Sequence, residues 1–257
     1  MGLTIIQSIK EPLDIPETLA NTLIREGVDC NLCYIEELAF FNFDYIGNNL
    51  KETIYFFNNT KLASTLVHIL LHNHREVIND GYLQKSFSKE TTQLLLIQNG
   101  FKIPDNYFSP EISRLSKMKD KIHFPLILKS FRHSEKYMVI HSYLEYMNVS
   151  FWGEVNHPVY AEEYLTANCK VFKIYCIDET IYFDSFGEQI KTQLLINDMR
   201  KIGSIFSLGV FSVDCIFNHI DKSVSVIDVN PSPAFGGSEV AGKDFIKYLK
   251  EKSEKHK

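Results

Sequence analysis

Three features of the sequence predict an α/β fold. The N-terminal part alternates short apolar strand runs with amphipathic helical spacing, and the remainder carries β-branched and aromatic runs joined by tight polar turns. The composition is that of a packed soluble protein, 45% hydrophobic and 23% charged over 257 residues, a length for one large domain or two to three small subdomains. The net charge of −5 and the isoelectric point near 6.0 argue against a nucleic-acid-binding surface, which shows as a basic patch or stripe. Only Lys247 to Lys257 is locally basic, and it reads as a solvated helix end. No apolar run reaches the roughly 18 residues of a membrane span and no basic-then-apolar leader opens the chain, so no membrane segment is expected. Gly2 is placed for myristoylation, but Ile6 stands where Ser or Thr is needed; the expected location is cytoplasmic. Cys30, Cys33, Cys169, Cys176 and Cys215 lie mostly in apolar runs, which fits reduced thiols. Cys30 and Cys33 form a lone Cys-x-x-Cys without a second pair at zinc spacing.

The elements follow in order. Leu3 to Ser8 is a strand, Pro16 to Glu26 a helix with proline in its first turn, and Gly27 stops it before a strand from Val28 to Tyr34. This is a β-α-β opening. Thr53 to Phe57 is the next strand, Leu62, Leu66, Ile69 and Leu70 give the apolar face of a helix, and a strand around Val77 and Ile78 completes a mostly parallel unit. Ser88 fits the N-cap of a helix that ends at Gly100, and Ser109 with Pro110 is expected to start another carrying Ile112, Leu115 and Met118. Strands are then predicted over Phe124 to Lys129, Tyr137 to His141, Val159 to Leu165, Lys170 to Ile177 and Thr180 to Phe183, with a turn at Asp178 and Glu179. Gln189 to Ser207 is the longest helical candidate, and Phe245, Tyr248 and Leu249 mark a closing helix.

Val210 to Phe217 and Val224 to Val229 read as two buried strands joined by the polar turn Asn218 to Ser223. That hairpin carries Asp214 on one strand and Asp228 and Asn230 on the other, the last two facing the same way because they are two apart. Carboxylates in apolar strands must be hydrogen-bonded, paired with a base or bound to a cation. Oxygen-only donors select a hard cation such as Mg²⁺, which uses one or two carboxylates together with water and substrate phosphates. Turn capping and lysine pairing are the alternative for the same residues. Lys129 ends an apolar strand and projects an ammonium from a rigid base, either toward a cleft or merely snorkelling into solvent. Ser130 to Lys136, with Arg132, His133 and Lys136, reads as a loop suited to folding over phosphates.

Taken together, these segments resemble the ATP-grasp superfamily from about Ile78 to the end of the chain. Ile78-Asn79, the helix with Lys89 and its exit Gly100-Phe101-Lys102-Ile103-Pro104 look like that family's asparagine, lysine-bearing helix and Gly-Ile-Pro-x-Pro exit. Phe124 to Lys129 is similar to its Phe-Pro-x-x-x-Lys strand, and Tyr160 to Leu165 to its adenine hinge. Asp214 with Asp228-Val229-Asn230 looks like its Mg²⁺ ligands. The resemblance implies ATP and Mg²⁺ as cofactors. Lys89 and Lys129 would contact the nucleotide phosphates, Glu162, Glu163, Tyr164 and Leu165 the adenine edge, and Asp214, Asp228 and Asn230 the metal. The implied architecture is an ATP-grasp fold with an N-terminal α/β (pre-ATP-grasp) domain over residues 1–108, a lid subdomain over 109–163 and a C-terminal subdomain with the metal site over 164–257, ATP lying between the last two.

Two branches compete. Asn230-Pro231-Ser232-Pro233 is similar to the Asn-x-Ser-Pro ending of RimK-like carboxylate-amine ligases, which activate a carboxylate as an acyl phosphate for attack by an amine. Val171 to Tyr175 and the Asp-x-Asn at 228 to 230 resemble ATP-grasp inositol phosphate kinases. A polyphosphate site needs several converging cations, and the acidic chain offers only Arg132, His133, Lys136 and Lys173, which favours the ligase. The chain departs from the family in having no glycine between Gly100 and Gly153 to line a lid, and no arginine between Asp184 and Asn197. Arg132 and Lys173 are therefore the expected catalytic cations, with Arg200 a weaker substitute, and the same departures keep open a nucleotide-binding partner protein with little catalysis. The expected partners are a small-molecule or peptide carboxylate and an amine, entering near Ser232, Ala234, Gly236 and Gly237, unless that glycine pair is a plain turn. An isologous homodimer is the default oligomer.

Overall fold

The computed structural model describes residues 2–8, 14–38, 50–57, 61–85, 87–109, 120–129, 138–151, 159–164 and 168–255. Its N-terminal elements are β1 (Leu3–Gln7), α1 (Asp14–Arg25), β2 (Cys30–Tyr34), α2 (Ile35–Leu38), β3 (Thr53–Phe56), α3 (Lys61–His72), β4 (Glu76–Val77) and α4 (Asp80–Lys85). Then come α5 (Lys89–Gln98), β5 (Asn106–Ser109), β6 (Leu126–Lys129), β7 (Met138–Ile140), α6 (Tyr143–Phe151) and β8 (Val159–Glu163). The last are β9 (Cys169–Ile177), β10 (Thr180–Phe183), α7 (Gly187–Ile190), α8 (Gln193–Phe206), β11 (Val210–Asn218), β12 (Val224–Asn230) and α9 (Glu239–Glu254). The chain forms two compact units, Met1–Phe87 with Phe172–Asp214 and Val229–Lys257 in the first, and Ser88–Val171 with Cys215–Asp228 in the second.

In the first unit the sheet order is β2-β1-β3-β4, and every pairing is parallel. A parallel sheet is covered on both faces, so its strands read as continuous apolar runs. Alternation divides them. Leu3, Ile5 and Tyr55 face Leu19 and Leu23 of α1 and Phe245 and Leu249 of α9 in one core, whereas Ile6, Ile54 and Phe56 face Ala63, Leu66, Val67 and Leu70 of α3. Asp14 and Glu17 in the first turn of α1 and Arg25 in its last complement the helix dipole. A second sheet has the order β10-β9-β11-β12, with β9 and β10 an antiparallel hairpin.

The second unit holds the antiparallel sheet β5-β8-β6-β7, packed around Leu126, Leu128, Ile140, Tyr146 and Ala161. Its first helix, α5, is bounded as its sequence suggests. Ser88 accepts the N–H of Thr91 as N-cap, and Gly100, past the helix end, has φ of 81°, the left-handed region that glycine enters without a Cβ clash.

Ser109 closes β5, opposite Val159, and the helix expected from Pro110 lies outside the described residues. Two elements differ from expectation. The long helix splits into α7 and α8, because Thr192 takes extended dihedrals and caps Leu195 N–H. Helix α6 was not anticipated. Its signal is the Ser-x-x-Glu pattern: the Ser142 hydroxyl accepts Glu145 N–H, and the Glu145 carboxylate accepts His141 N–H. Among the described residues no helix is long and apolar enough to cross a membrane.

Candidate functional site

In the first unit Asp214 breaks the otherwise buried run of β11, being half-buried between Val213 and Cys215. Its partner is Lys173 on β9, whose Nζ lies 3.0 Å from Asp214 Oδ1. The backbone of Lys173 is fixed by Asp184, which accepts Lys173 N–H at 2.8 Å and donates its own N–H to Lys173 O at 3.0 Å. The other oxygen of that carboxylate accepts Gly187 N–H at 2.7 Å. Asp184 is thus a turn-capping acid.

Asn230 ends β12, the strand next to β11. Its Oδ1 accepts Ser232 N–H at 2.9 Å, and the Ser232 hydroxyl donates to Phe56 O at 2.8 Å. The following loop is held from below by rings. Tyr175 stacks on Phe235 at 5.3 Å, Phe235 on Phe245 at 4.5 Å, and the Tyr175 hydroxyl accepts Gly237 N–H at 2.9 Å. A Cβ at Gly237 would run into that hydroxyl, so this glycine is required by close approach. Gly236 has open space around it. Nearby, burial and then the Asp244 carboxylate push the Tyr182 phenol up to about 12, and the two are joined at 2.5 Å.

In the second unit Lys89 is the first residue of α5, and its Nζ is 4.0 Å from Asp228 Oδ1. One turn on, Gln93 is 2% exposed and donates to Ile227 O at 3.1 Å, next to Asp228. Gln93 was not anticipated as a site residue. The signal was there, a polar residue at i+4 from Lys89 just before a run of leucines. Lys129 ends β6 opposite Tyr160; its side chain, together with Arg132, His133, Lys136 and Leu165, lies outside the described residues. Glu162 is buried in the middle of its sheet. The N–H groups of Glu163 and Tyr164 donate to Asp105 O at 2.7 Å and Pro125 O at 2.8 Å. Those two amides are therefore already engaged.

A cavity of about 280 Å³ opens in the first unit, lined by Cys176, Ile181, Met199, Arg200, Ser204 and Phe211 among others. Cys176 and Phe211 are one residue out of phase with Tyr175 and Val210, so the cavity lies on the other face of the strands from Lys173 and Asp214. Arg200 at its rim pairs with Glu179 at 3.5 Å and is half exposed, a helix-surface arrangement.

Among the described residues no three His, Cys, Asp or Glu side chains gather as a metal cluster. Asp214 and Asn230 in the first unit and Asp228 in the second each carry an oxygen donor of the kind a hard cation such as Mg²⁺ would take alongside water and phosphate. Asn230 Oδ1 spends one lone pair on Ser232 and, among the described residues, keeps the other.

No protein-family model matches the sequence, and no curated protein matches it. Solved structures do. A RimK-domain ATP-grasp protein from Sphaerobacter thermophilus aligns with a TM-score of 0.71 at 11% identity, over 97% of this chain and 98% of that one. D-alanine–D-alanine ligase from Bacillus anthracis, solved with ATP, aligns at 0.69 and 14% identity, over 100% and 97%. The ATP-grasp ligase PsnB, solved with a minimal precursor, Mg and ADP, aligns at 0.68 and 11% identity, over 98% and 97%.

Proposed function

We propose that this chain, whose fold is that of the ATP-grasp ligases, is an ATP-dependent carboxylate-amine ligase. In the proposed reaction the γ-phosphoryl group of ATP passes to a substrate carboxylate, and an amine displaces phosphate from the acyl phosphate to leave an amide. The observation that carries this reading is the mounting of the oxygen donors. Asp214 and Asn230 stand on adjacent strands of a β-sheet, and Asp214 is already matched to a cation, Lys173. Phosphoryl transfer asks a protein mainly for positioning and charge stabilisation, and a rigid sheet supplies both.

In this reading Lys89 and Lys129 bind the phosphates, and Lys173 and Arg132 stabilise charge on the transferring group. Glu162, Glu163, Tyr164 and Leu165 border the adenine. Asp214, Asp228 and Asn230 hold Mg²⁺, which when bound neutralises charge on the phosphates. The acceptors are taken to be an amino acid or a peptide, because the similar structures include D-alanine–D-alanine ligase and PsnB with its precursor. The loop from Ser232 to Gly237 is the proposed acceptor side, small in side chain apart from the buried Phe235 and held by Tyr175 and Phe56.

The test is to incubate the protein with Mg²⁺, γ-labelled ATP and a pool of amino acids, peptides and inositol phosphates. Label released as free phosphate only when carboxylate and amine are both present, with an unphosphorylated condensation product, is the expected result. Label retained on an inositol phosphate would overturn it in favour of a kinase, and nucleotide binding without any label transfer across the pool would favour a binding protein.

A further inference from the structure

Asn79, just after β4, has φ of 61°, a region few residues other than glycine enter. Its side chain is buried and fully engaged. Nδ2 donates to Val210 O at 2.6 Å and to Pro231 O at 2.7 Å, while Oδ1 accepts Gly209 N–H at 2.9 Å and Val210 N–H at 3.2 Å. One carboxamide thereby closes the start of β11 onto the residue that follows Asn230. Only a planar group with two donors and a two-lone-pair acceptor does this. Aspartate would set a carboxylate oxygen against two carbonyls, and serine has a single donor. A left-handed residue is strained and persists where its surroundings over-determine it; here the four bonds do so.

Asn79 pins the chain one residue beyond Asn230, and Ser232 pins it two residues beyond through Phe56 O while returning its own N–H to Asn230 Oδ1. At the other end the clamp grips β11 four residues before Asp214, a run of about 13 Å along a strand. Asn79 is therefore remote from any ion on Asp214 and acts through the geometry of Asn230. We propose that Asn79 is a positioning residue that holds the Asn230 oxygen in place to receive the divalent cation. This rests on the reading of Asn230 as a metal ligand and adds the residue that sets its position.

The experiment uses Mn²⁺ as probe, with the non-hydrolysable β,γ-imido analogue of ATP, and reads bound Mn²⁺ by electron paramagnetic resonance. Two variants are compared with the wild type. Asn79→Asp keeps the size and reverses the donors; Asn79→Gly keeps the positive φ without strain and deletes only the clamp, so it decides the matter if the aspartate variant does not fold. The expected result is a fall in Mn²⁺ affinity of about tenfold or more, the range seen when support behind a metal ligand is lost, with cooperative melting retained. In turnover the half-saturating Mg²⁺ concentration should rise by the same factor while kcat at saturating Mg²⁺ recovers. Unchanged Mn²⁺ affinity in Asn79→Gly would overturn the proposal, whatever happens to its melting temperature. A wild type that loses Mn²⁺ on Asp228→Ala but keeps it on Asn79→Gly upholds the site and removes this inference alone; a wild type that binds no Mn²⁺ removes both.

Discussion

Each compact unit sets a lysine against a half-exposed aspartate, and the two pairs are built differently. Lys173 and Asp214 stand 3.0 Å apart on neighbouring strands, whereas Lys89 comes only within 4.0 Å of Asp228, from the first turn of a helix. Solvent does not explain the difference, since the side chains are 36% and 26% exposed in the first pair and 28% and 34% in the second. The mounting does. Adjacent strands fix side chains at a set spacing, while α5 is located against β12 through Gln93. Partly exposed ion pairs stabilise by about 0–1 kcal/mol, so neither pair is explained by folding stability. What differs is availability. The Asp214 carboxylate is in contact with an ammonium that must move or be shared when another cation arrives, whereas the ammonium facing Asp228 among the described residues is 4.0 Å away.

The largest expected effect treats the pairs alike. Asp228→Ala and Asp214→Asn should each lower turnover by about 10³-fold or more with unchanged circular dichroism, because the proposed site loses a negative charge in each. Undiminished turnover in either variant would leave the comparison with one functional pair and sink the assignment of the other. The lysines should then separate. Lys173→Ala is expected to lower kcat by about 10²-fold at saturating ATP, the loss typical of one electrostatic contact to developing charge. Lys89→Ala should raise KM for ATP by about tenfold with kcat nearly unchanged, the signature of uniform binding; the opposite split would exchange their roles.

Smaller effects test the mounting. Gln93→Leu removes the bond to Ile227 O and should cost about 1–2 kcal/mol, a fall of about 2–8 °C in Tm for a chain of this size. KM for ATP should rise severalfold, with Lys173-dependent kcat unaffected. A lower Tm with unaltered KM would show that Gln93 holds the helix but does not aim Lys89. Smallest of all, Ser88→Ala deletes the N-cap for about 1 kcal/mol and should leave both kinetic constants within about twofold. A large kinetic loss there would mean that the helix N-terminus itself serves the site.

Much of this was readable in advance where local chemistry decides. Ser88 and Gly100 bound α5 because capping and left-handed φ are properties of single residues. The lone acids Asp214 and Asp228 in apolar strands announced the need for partners, since burial of a carboxylate demands one, and lysine pairing was one of the two readings open for them. Two partners proved to be lysines, each drawn from a different element. Asn79 was visible as an isolated asparagine, but its four bonds reach residues more than a hundred positions away. No spacing rule encodes such a distance. Helix α6 is the opposite case: its Ser142–Glu145 cap is local and encoded within a few residues.

The sequence by itself determined the alternation of strands and helices and the candidate donors Asp214, Asp228 and Asn230, because periodicity and residue chemistry act over a few neighbours. The tertiary structure alone decided which cation meets which acid, that Gln93 and Asn79 hold the strands bearing them, and that the cavity beside Arg200 opens on the other face of the sheet from Lys173. These depend on which strands become neighbours and which way each side chain points once the sheets are paired, and pairing is settled by the burial of the whole core, not by any single segment.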